Sequence, residues 1–255
     1  CEAAGHPVLV SDVREDYVKS LNDRHINTTE PEVQNLLREA ERFEATTDNR
    51  RVIRECDLIY TLVPTPSLDD GSYDVSAIWA VVEDFKKEMG GIANYPKNFV
   101  IGSTTNPGNC REFRNALPPS VRVFYNPEFI AQGTIIKNLR EADMVLLGHD
   151  ADTYGMQTDE QVITDIMNLY KKIQVTRAIV CNMSLTAAEI TKIAVNCYLT
   201  TKISYANMLG DTLNRAGCGD EVVSVLSAIG TDTRIGKKFL NWGVGYGGPC
   251  LPRDN

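Results

Sequence analysis

The sequence predicts a doubly wound α/β domain over residues 1–183 followed by an all-α unit over 184–255, on three observations. Up to about residue 183, continuously apolar runs of four to seven residues alternate with amphipathic helical stretches, the pattern of parallel strands covered on both faces. From Ser184 onward the period is helical for some thirty residues without proline, and without glycine before Gly210. The length of 255 residues suits one large domain or two smaller ones.

The first apolar run, 8–12, ends in Asp12 and is followed by a charged helical stretch at 14–22. A helix is expected at 31–42, opened by Pro31 and carrying Val33, Leu36, Leu37 and Ala40 at helical spacing. Strand 43–47, helix 48–56 and strand 57–63 come next, then helix 74–89 after the turn residues Asp69 to Ser72. Strand 98–103, helix 108–116, strands 121–125 and 143–148, helix 158–172 and strand 177–181 complete the α/β part. The helical unit consists of one long helix at 184–214, a shorter one at 219–229 and a glycine-rich segment at 243–248.

With 26 basic and 34 acidic residues the net charge is −8, which gives no sequence-independent attraction to nucleic acid or anionic membrane. Residues 184–255 alone carry seven basic and six acidic groups, so an anionic small molecule is better sought there. No run of about 18 apolar residues and no signal-peptide pattern occurs, and cytoplasmic synthesis is the expectation. The seven cysteines form no C-x-x-C pair and the three histidines are isolated, which argues for a reducing compartment and against a metal site.

Several constellations carry chemistry. Cys250 ends a segment with four glycines between Gly243 and Gly248, and Arg253 and Asp254 follow it. A thiol with a basic neighbour in so adaptable a backbone suits a nucleophile, the bland alternative being a flexible tail with an inert cysteine. Gly243, Gly245 and Gly248 satisfy G-x-G-x-x-G literally, but no strand precedes them and Pro249 and Pro252 interrupt any helix after them, so the match is discarded.

On the long helix, Glu189, Lys192, Asn196, Thr200, Ile203 and Asn207 share one face. Buried, Lys192 and Asn196 could stabilise an oxyanion; solvated, Glu189 and Lys192 would form an exposed pair, with Thr186-x-x-Glu189 as a capping box. Three polar turns, 63–67, 103–108 and 126–133, follow strands of one sheet and describe a cleft in which Glu128 is a candidate base. Ordinary turn chemistry of Pro, Asn and Gly is the alternative for each. Asp12, at its strand end, fits the acid that holds the ribose hydroxyls of NAD, although the strand and glycine motif expected about 20 residues earlier are not in the sequence.

Taken together, these residues resemble the nucleotide-sugar dehydrogenase family over the whole chain. The resemblance is carried by Gly5 to Val8 with Asp12, Leu21-Asn22 to Glu30-Pro31, Asp57 to Ser67 with Asp70-Gly71, Ser103-Thr104, and Asn126 to Phe129. It continues through the Glu189/Lys192/Asn196 helix, Gly230 to Gly236 with Phe239-Leu240, and Gly245 to Asp254. It implies a Rossmann-type NAD domain without its first strand, then a central helical domain that dimerises through helix 184–214.

The implied reaction is a four-electron oxidation of a sugar C6 hydroxyl to a carboxylate with two NAD⁺, through a thiohemiacetal and a thioester on Cys250. Lys192 and Asn196 would hold the oxyanion, Asp254 with Thr104 would position water, and Glu128 would assist hydrolysis. Asp12, Val63, Thr65, Pro66, Ser103, Thr104 and Gln132 match cofactor positions. Phe129, Ile130, Lys192, Asn196, Arg234, Phe239, Tyr246 and Gly247 match nucleotide-sugar positions, Arg234 reaching the diphosphate from the second subunit.

Gln132 stands where the family often has a second Glu, and Arg253 where it often has Lys. The stretch Gly230 to Gly236 is more similar to members acting on UDP-glucose than to those acting on GDP-mannose or UDP-N-acetylhexosamines. A non-catalytic dimerising fragment is the alternative of another class. The resemblance further implies that the N-terminal phosphate cradle and a C-terminal nucleotide-binding domain lie outside this sequence, and a chain of this extent is expected to be inactive alone.

Overall fold

A computed structural model describes all residues except 91–95, 151–156, 244, 248–249 and 255, and the side chains of all but these and 157–159 and 253. The chain divides into two compact units, one comprising Cys1–Thr65 and Tyr73–Glu189, the other Pro66–Ser72 and Ile190–Asn255.

The first unit is the α/β part. Strands β1 (Val8–Ser11) and β2 (Phe43–Thr46) form a parallel pair. Strands β3 (Leu58–Thr61), β4 (Lys97–Ile101), β5 (Val121–Tyr125), β6 (Met144–His149) and β7 (Ile179–Ser184) form a five-stranded sheet in that order. The strands alternate with helices α1 (Glu15–Asn22), α2 (Val33–Glu39), α3 (Asn49–Glu55), α4 (Ser76–Met89), α5 (Asn109–Ala116), α6 (Ile135–Arg140) and α7 (Gln157–Ile173).

Both faces of the larger sheet are covered. Phe99 and Ile101 of β4 and Val121, Val123 and Tyr125 of β5 pack with Ile78, Val82 and Phe85 of α4 and Phe113 of α5. The alternate residues Val100, Phe124 and Leu147 pack with Val162 and Ile166 of α7 on the other side. Period-two alternation with both sets largely apolar explains the apolar runs, since β4, β5 and β6 have no solvated face.

The structure corrects the sequence expectation in four places. The strands form two sheets rather than one, because no described strand pairs with both β1 and β3. The larger sheet is not all parallel, for β5 meets β6 antiparallel at Tyr125 and Gly148 while β6 and β7 run parallel to each other. The helix between β5 and β6, α6, was absent from the expectation and has six residues. Lastly, Pro31 does not open α2, which starts at Val33 after Glu32 in a left-handed conformation with φ of 67°.

The second unit is helical. Helix α8 (Leu185–Arg215) has 31 residues, of which the first five belong to the α/β unit. A short 3₁₀ turn at Gly219–Glu221 leads into α9 (Val222–Thr231), and α10 (Leu251–Asp254) is a final turn not foreseen in the sequence. Ala206 of α8, Val222 and Leu226 of α9, and Leu240 form its core. Gly210 is set by packing, since a Cβ there would lie 1.7 Å from the Trp242 ring. No described helix is long and apolar enough to cross a membrane.

Candidate active site

The carboxyl ends of β3, β4 and β5 lie on one edge because these strands are mutually parallel. There the Ser103 hydroxyl accepts from the Val63 amide and donates to the Val63 carbonyl, both at 2.8 Å, so it braces the turn after β3 against the turn after β4. Thr65 and Thr104 are buried beside this brace.

At the end of β1, Asp12 accepts from the Arg14 amide at 2.9 Å and from its guanidinium at 3.1 and 3.2 Å. The side-chain hydrogen bond from Arg14 holds the Asp12 carboxyl below the usual carboxylate range. Arg14 also lies 4.3 Å over the Tyr17 ring. Such an exposed pair contributes little to stability, so the carboxylate can exchange this partner for ribose hydroxyls at small cost. An acid at the first strand's end and two braced turns on the edge of the larger sheet fit a dinucleotide.

The turn after β5 holds Glu128 against buried hydroxyls. Asn126 donates its amide to the Leu146 carbonyl at 2.8 Å and accepts from the hydroxyls of Tyr60 at 3.2 Å and Tyr170 at 2.8 Å. The Tyr170 hydroxyl is also 3.4 Å from Glu128 Oε1. Neither tyrosine was singled out in the sequence, where Tyr60 reads as strand and Tyr170 as helix core. Phe129 packs on the main core, while Ile130 and Gln132 are exposed. Further along this turn, Glu30 accepts from the amides of Gly133 and Ile135, anchoring the segment from a loop 103 residues earlier in sequence.

Glu189 overturns one of the sequence alternatives. It is fully buried and its Oε1 accepts from Thr105 Oγ1 at 2.9 Å and the Cys110 amide at 2.8 Å, while Oε2 accepts from the Gly108 amide at 2.6 Å. It therefore caps the start of α5 and forms neither a capping box with Thr186 nor an exposed pair with Lys192, which is itself buried. The reason is charge placement: the free amides at a helix N-terminus donate to the carboxylate in place of solvent. Burial first, and then the Glu189 carboxylate, push the Cys110 thiol well up, so it is not a reactive thiolate.

In the helical unit, Asn196 Nδ2 donates to Asp254 Oδ2 at 2.6 Å and the Cys197 thiol to the Asp254 carbonyl at 3.0 Å. The Asp254 amide donates to the Cys250 carbonyl at 2.9 Å, closing the α10 turn directly after the exposed Cys250. The Arg253 side chain, taken in the sequence as the basic neighbour, lies outside the described residues. Arg234 is bound by Asp232 Oδ1 and Oδ2 at 3.0 and 2.6 Å, an Asp-x-Arg pair of the same form as Asp12 and Arg14. Phe239 is exposed with a left-handed φ of 65°, Tyr246 is half-buried, and Gly247 has open space where a Cβ would stand. Among the described residues no group of three or more His, Cys, Asp or Glu could hold a metal.

Residues 1–174 match the NAD binding domain of the UDP-glucose/GDP-mannose dehydrogenase family, and residues 186–255 match its central domain. The chain belongs to this family. UDP-glucose 6-dehydrogenase AglM of Haloferax volcanii is 30% identical over 98% of the chain and 58% of its own length. UDP-glucose 6-dehydrogenase TuaD of Bacillus subtilis is 29% identical over 98% of the chain and 52% of its own length. A UDP-glucose dehydrogenase from Pyrobaculum islandicum superposes with a TM-score of 0.86 at 27% identity, over 99% of this chain and 58% of that one.

A GDP-mannose dehydrogenase from Pseudomonas aeruginosa shares the fold, with a TM-score of 0.78 at 24% identity over 99% of this chain and 58% of that one. The chain thus spans little more than half the length of these relatives. As a member of the UDP-glucose/GDP-mannose dehydrogenase family it carries an NAD-binding domain.

Proposed function

We propose that the full-length protein oxidises UDP-glucose to UDP-glucuronate with two NAD⁺. The observation that carries this reading is the cluster of Cys250, Asp254 and Asn196, in which an exposed thiol is followed within one helical turn by an acid bonded to the amide of α8. NAD⁺, when bound, accepts a hydride from the sugar carbon at each oxidation.

The chain's own residues do the rest. The Cys250 thiolate adds to the aldehyde, giving a thiohemiacetal whose oxidation leaves a thioester. Lys192 contributes an ammonium and Asn196 its second amide N–H to the oxygen that becomes negative, Asp254 accepting the first N–H and so orienting that side chain. Asp254 and Thr104 position the water that attacks the thioester, Glu128 takes its proton, and the Cys250 thiolate leaves. Pro66 and Gln132 complete the cofactor contacts. Phe129, Ile130, Phe239, Tyr246 and Gly247 contact the nucleotide sugar, and Arg234 exchanges Asp232 for the diphosphate.

The names of the Haloferax and Bacillus relatives support UDP-glucose over GDP-mannose and UDP-N-acetylhexosamines. Incubating the full-length protein with each nucleotide sugar and NAD⁺ should yield two NADH per UDP-glucose and little from the others. Preferred turnover of GDP-mannose would refute the substrate, and no turnover of any would favour a binding module.

The reading includes a homodimer through α8. Ile190, Tyr198, Tyr205 and Met208 are exposed on that helix at intervals that keep them on one stripe, and none is charged. Replacing Tyr198 and Met208 together by glutamate is expected to turn a dimer into a monomer in sedimentation. A wild-type protein that sediments as a monomer contradicts this.

A further inference from the structure

We propose that Tyr170 is the positioning residue for Glu128, its hydroxyl aiming the carboxylate and sharing one proton between it and Asn126. The proposal rests on Glu128 being the base of the hydrolytic step.

The geometry starts from Asn126, which is 1% exposed. Because its Nδ2 is committed to the Leu146 carbonyl, the amide cannot flip, and its Oδ1 faces the two tyrosines. The Tyr60 hydroxyl, on β3, reaches Oδ1 and makes no bond to Glu128. The Tyr170 hydroxyl, on α7, has two acceptors, Asn126 Oδ1 at 2.8 Å and Glu128 Oε1 at 3.4 Å, and a single proton to give. Tyr60 keeps Oδ1 satisfied whichever way that proton turns.

With Glu128 ionised, Tyr170 can donate to it. Once Glu128 has taken a proton from water, the acid can donate to the Tyr170 oxygen while Tyr170 donates to Asn126. Either way the buried groups stay paired, which an apolar residue at 170 would prevent. Titratable groups facing Glu128 include Tyr60 and Tyr170, whose phenols are pushed far up, by burial first and by the Glu128 charge after it, so both remain donors wherever the carboxylate titrates.

The sign of the effect follows. A donor to the ionised carboxylate favours the charged form, and its loss raises the pH at which Glu128 becomes a base. In the full-length enzyme, Tyr170→Phe should move the acid limb of the kcat profile for acid formation upward by about half a unit to one unit, with a larger change in kcat than in KM. Tyr60→Phe, which removes a hydroxyl that reaches Asn126 and not Glu128, should move the limb less, by as much as Asn126 then draws the Tyr170 proton to itself. Should the Tyr170→Phe protein not fold, 3-fluorotyrosine at 170 keeps the hydroxyl as a stronger donor and should move the limb downward.

A limb lost in Glu128→Gln yet unmoved by either change at 170, or moved equally by Tyr60→Phe, overturns the proposal alone. A limb that persists in Glu128→Gln overturns the assignment of Glu128 on which it rests.

Discussion

Glu189→Gln should destabilise the α/β unit by about 3 kcal/mol although it alters a single atom. The carboxylate receives three donors, from Thr105, Cys110 and Gly108, and is fully buried. A glutamine oxygen can replace Oε1 and keep two of them, but its NH₂ then faces the Gly108 amide, donor against donor, or the reverse orientation loses two. A hydrogen bond to a charged group contributes about 1.5–3 kcal/mol, and an orphaned buried donor costs a similar amount.

At roughly 2–4 °C per kcal/mol for a unit of this size, the midpoint of thermal unfolding should fall by about 6–12 °C. Thr105→Val, which removes one donor and leaves Cys110 on the same oxygen, should cost only about 1 kcal/mol. Equal midpoints for Glu189→Gln and the wild type would show that the carboxylate holds nothing.

Cys250→Ala is expected to lower acid formation by the full-length enzyme by about three orders of magnitude or more, the scale on which loss of a covalent nucleophile is felt. The thiol is exposed, while its carbonyl is held by the Asp254 amide and Asp254 by Asn196, so the side chain can move without disturbing the turn behind it. The substitution should therefore leave folding intact, and NAD⁺ affinity with it, since the residues proposed to hold the cofactor lie on other turns. Serine, a far weaker nucleophile near neutral pH, should restore little. Two NADH per sugar from the alanine protein would exclude a thioester.

Much of the scaffold was legible because the signals are local. The stretches 58–60, 99–101 and 144–147 are apolar at every step, as strands buried on both faces are. Helix α8 was legible from thirty residues without a breaker. The antiparallel meeting of β5 and β6 was not, since strand composition is indifferent to direction. The residues proposed for the site were named largely from the family resemblance, which gave none of the partners that aim them. Asp-x-Arg at Asp12 and Asp232 was within reach of local reading, as each acid meets a guanidinium two residues on.

The sequence by itself determined the class of fold, the change from sheet to helix near residue 184, and the residue types available for chemistry. These depend on period and composition over a few residues, which survive in the unfolded chain. Tertiary structure alone decided that Glu189 caps α5 rather than its own helix, with its nearest partner 79 residues away, and that Tyr170 stands beside Glu128 across 42 residues. Burying a polar group demands a partner, and that partner is chosen by which backbone passes within 3 Å or so once the core has closed, a distance no local pattern encodes.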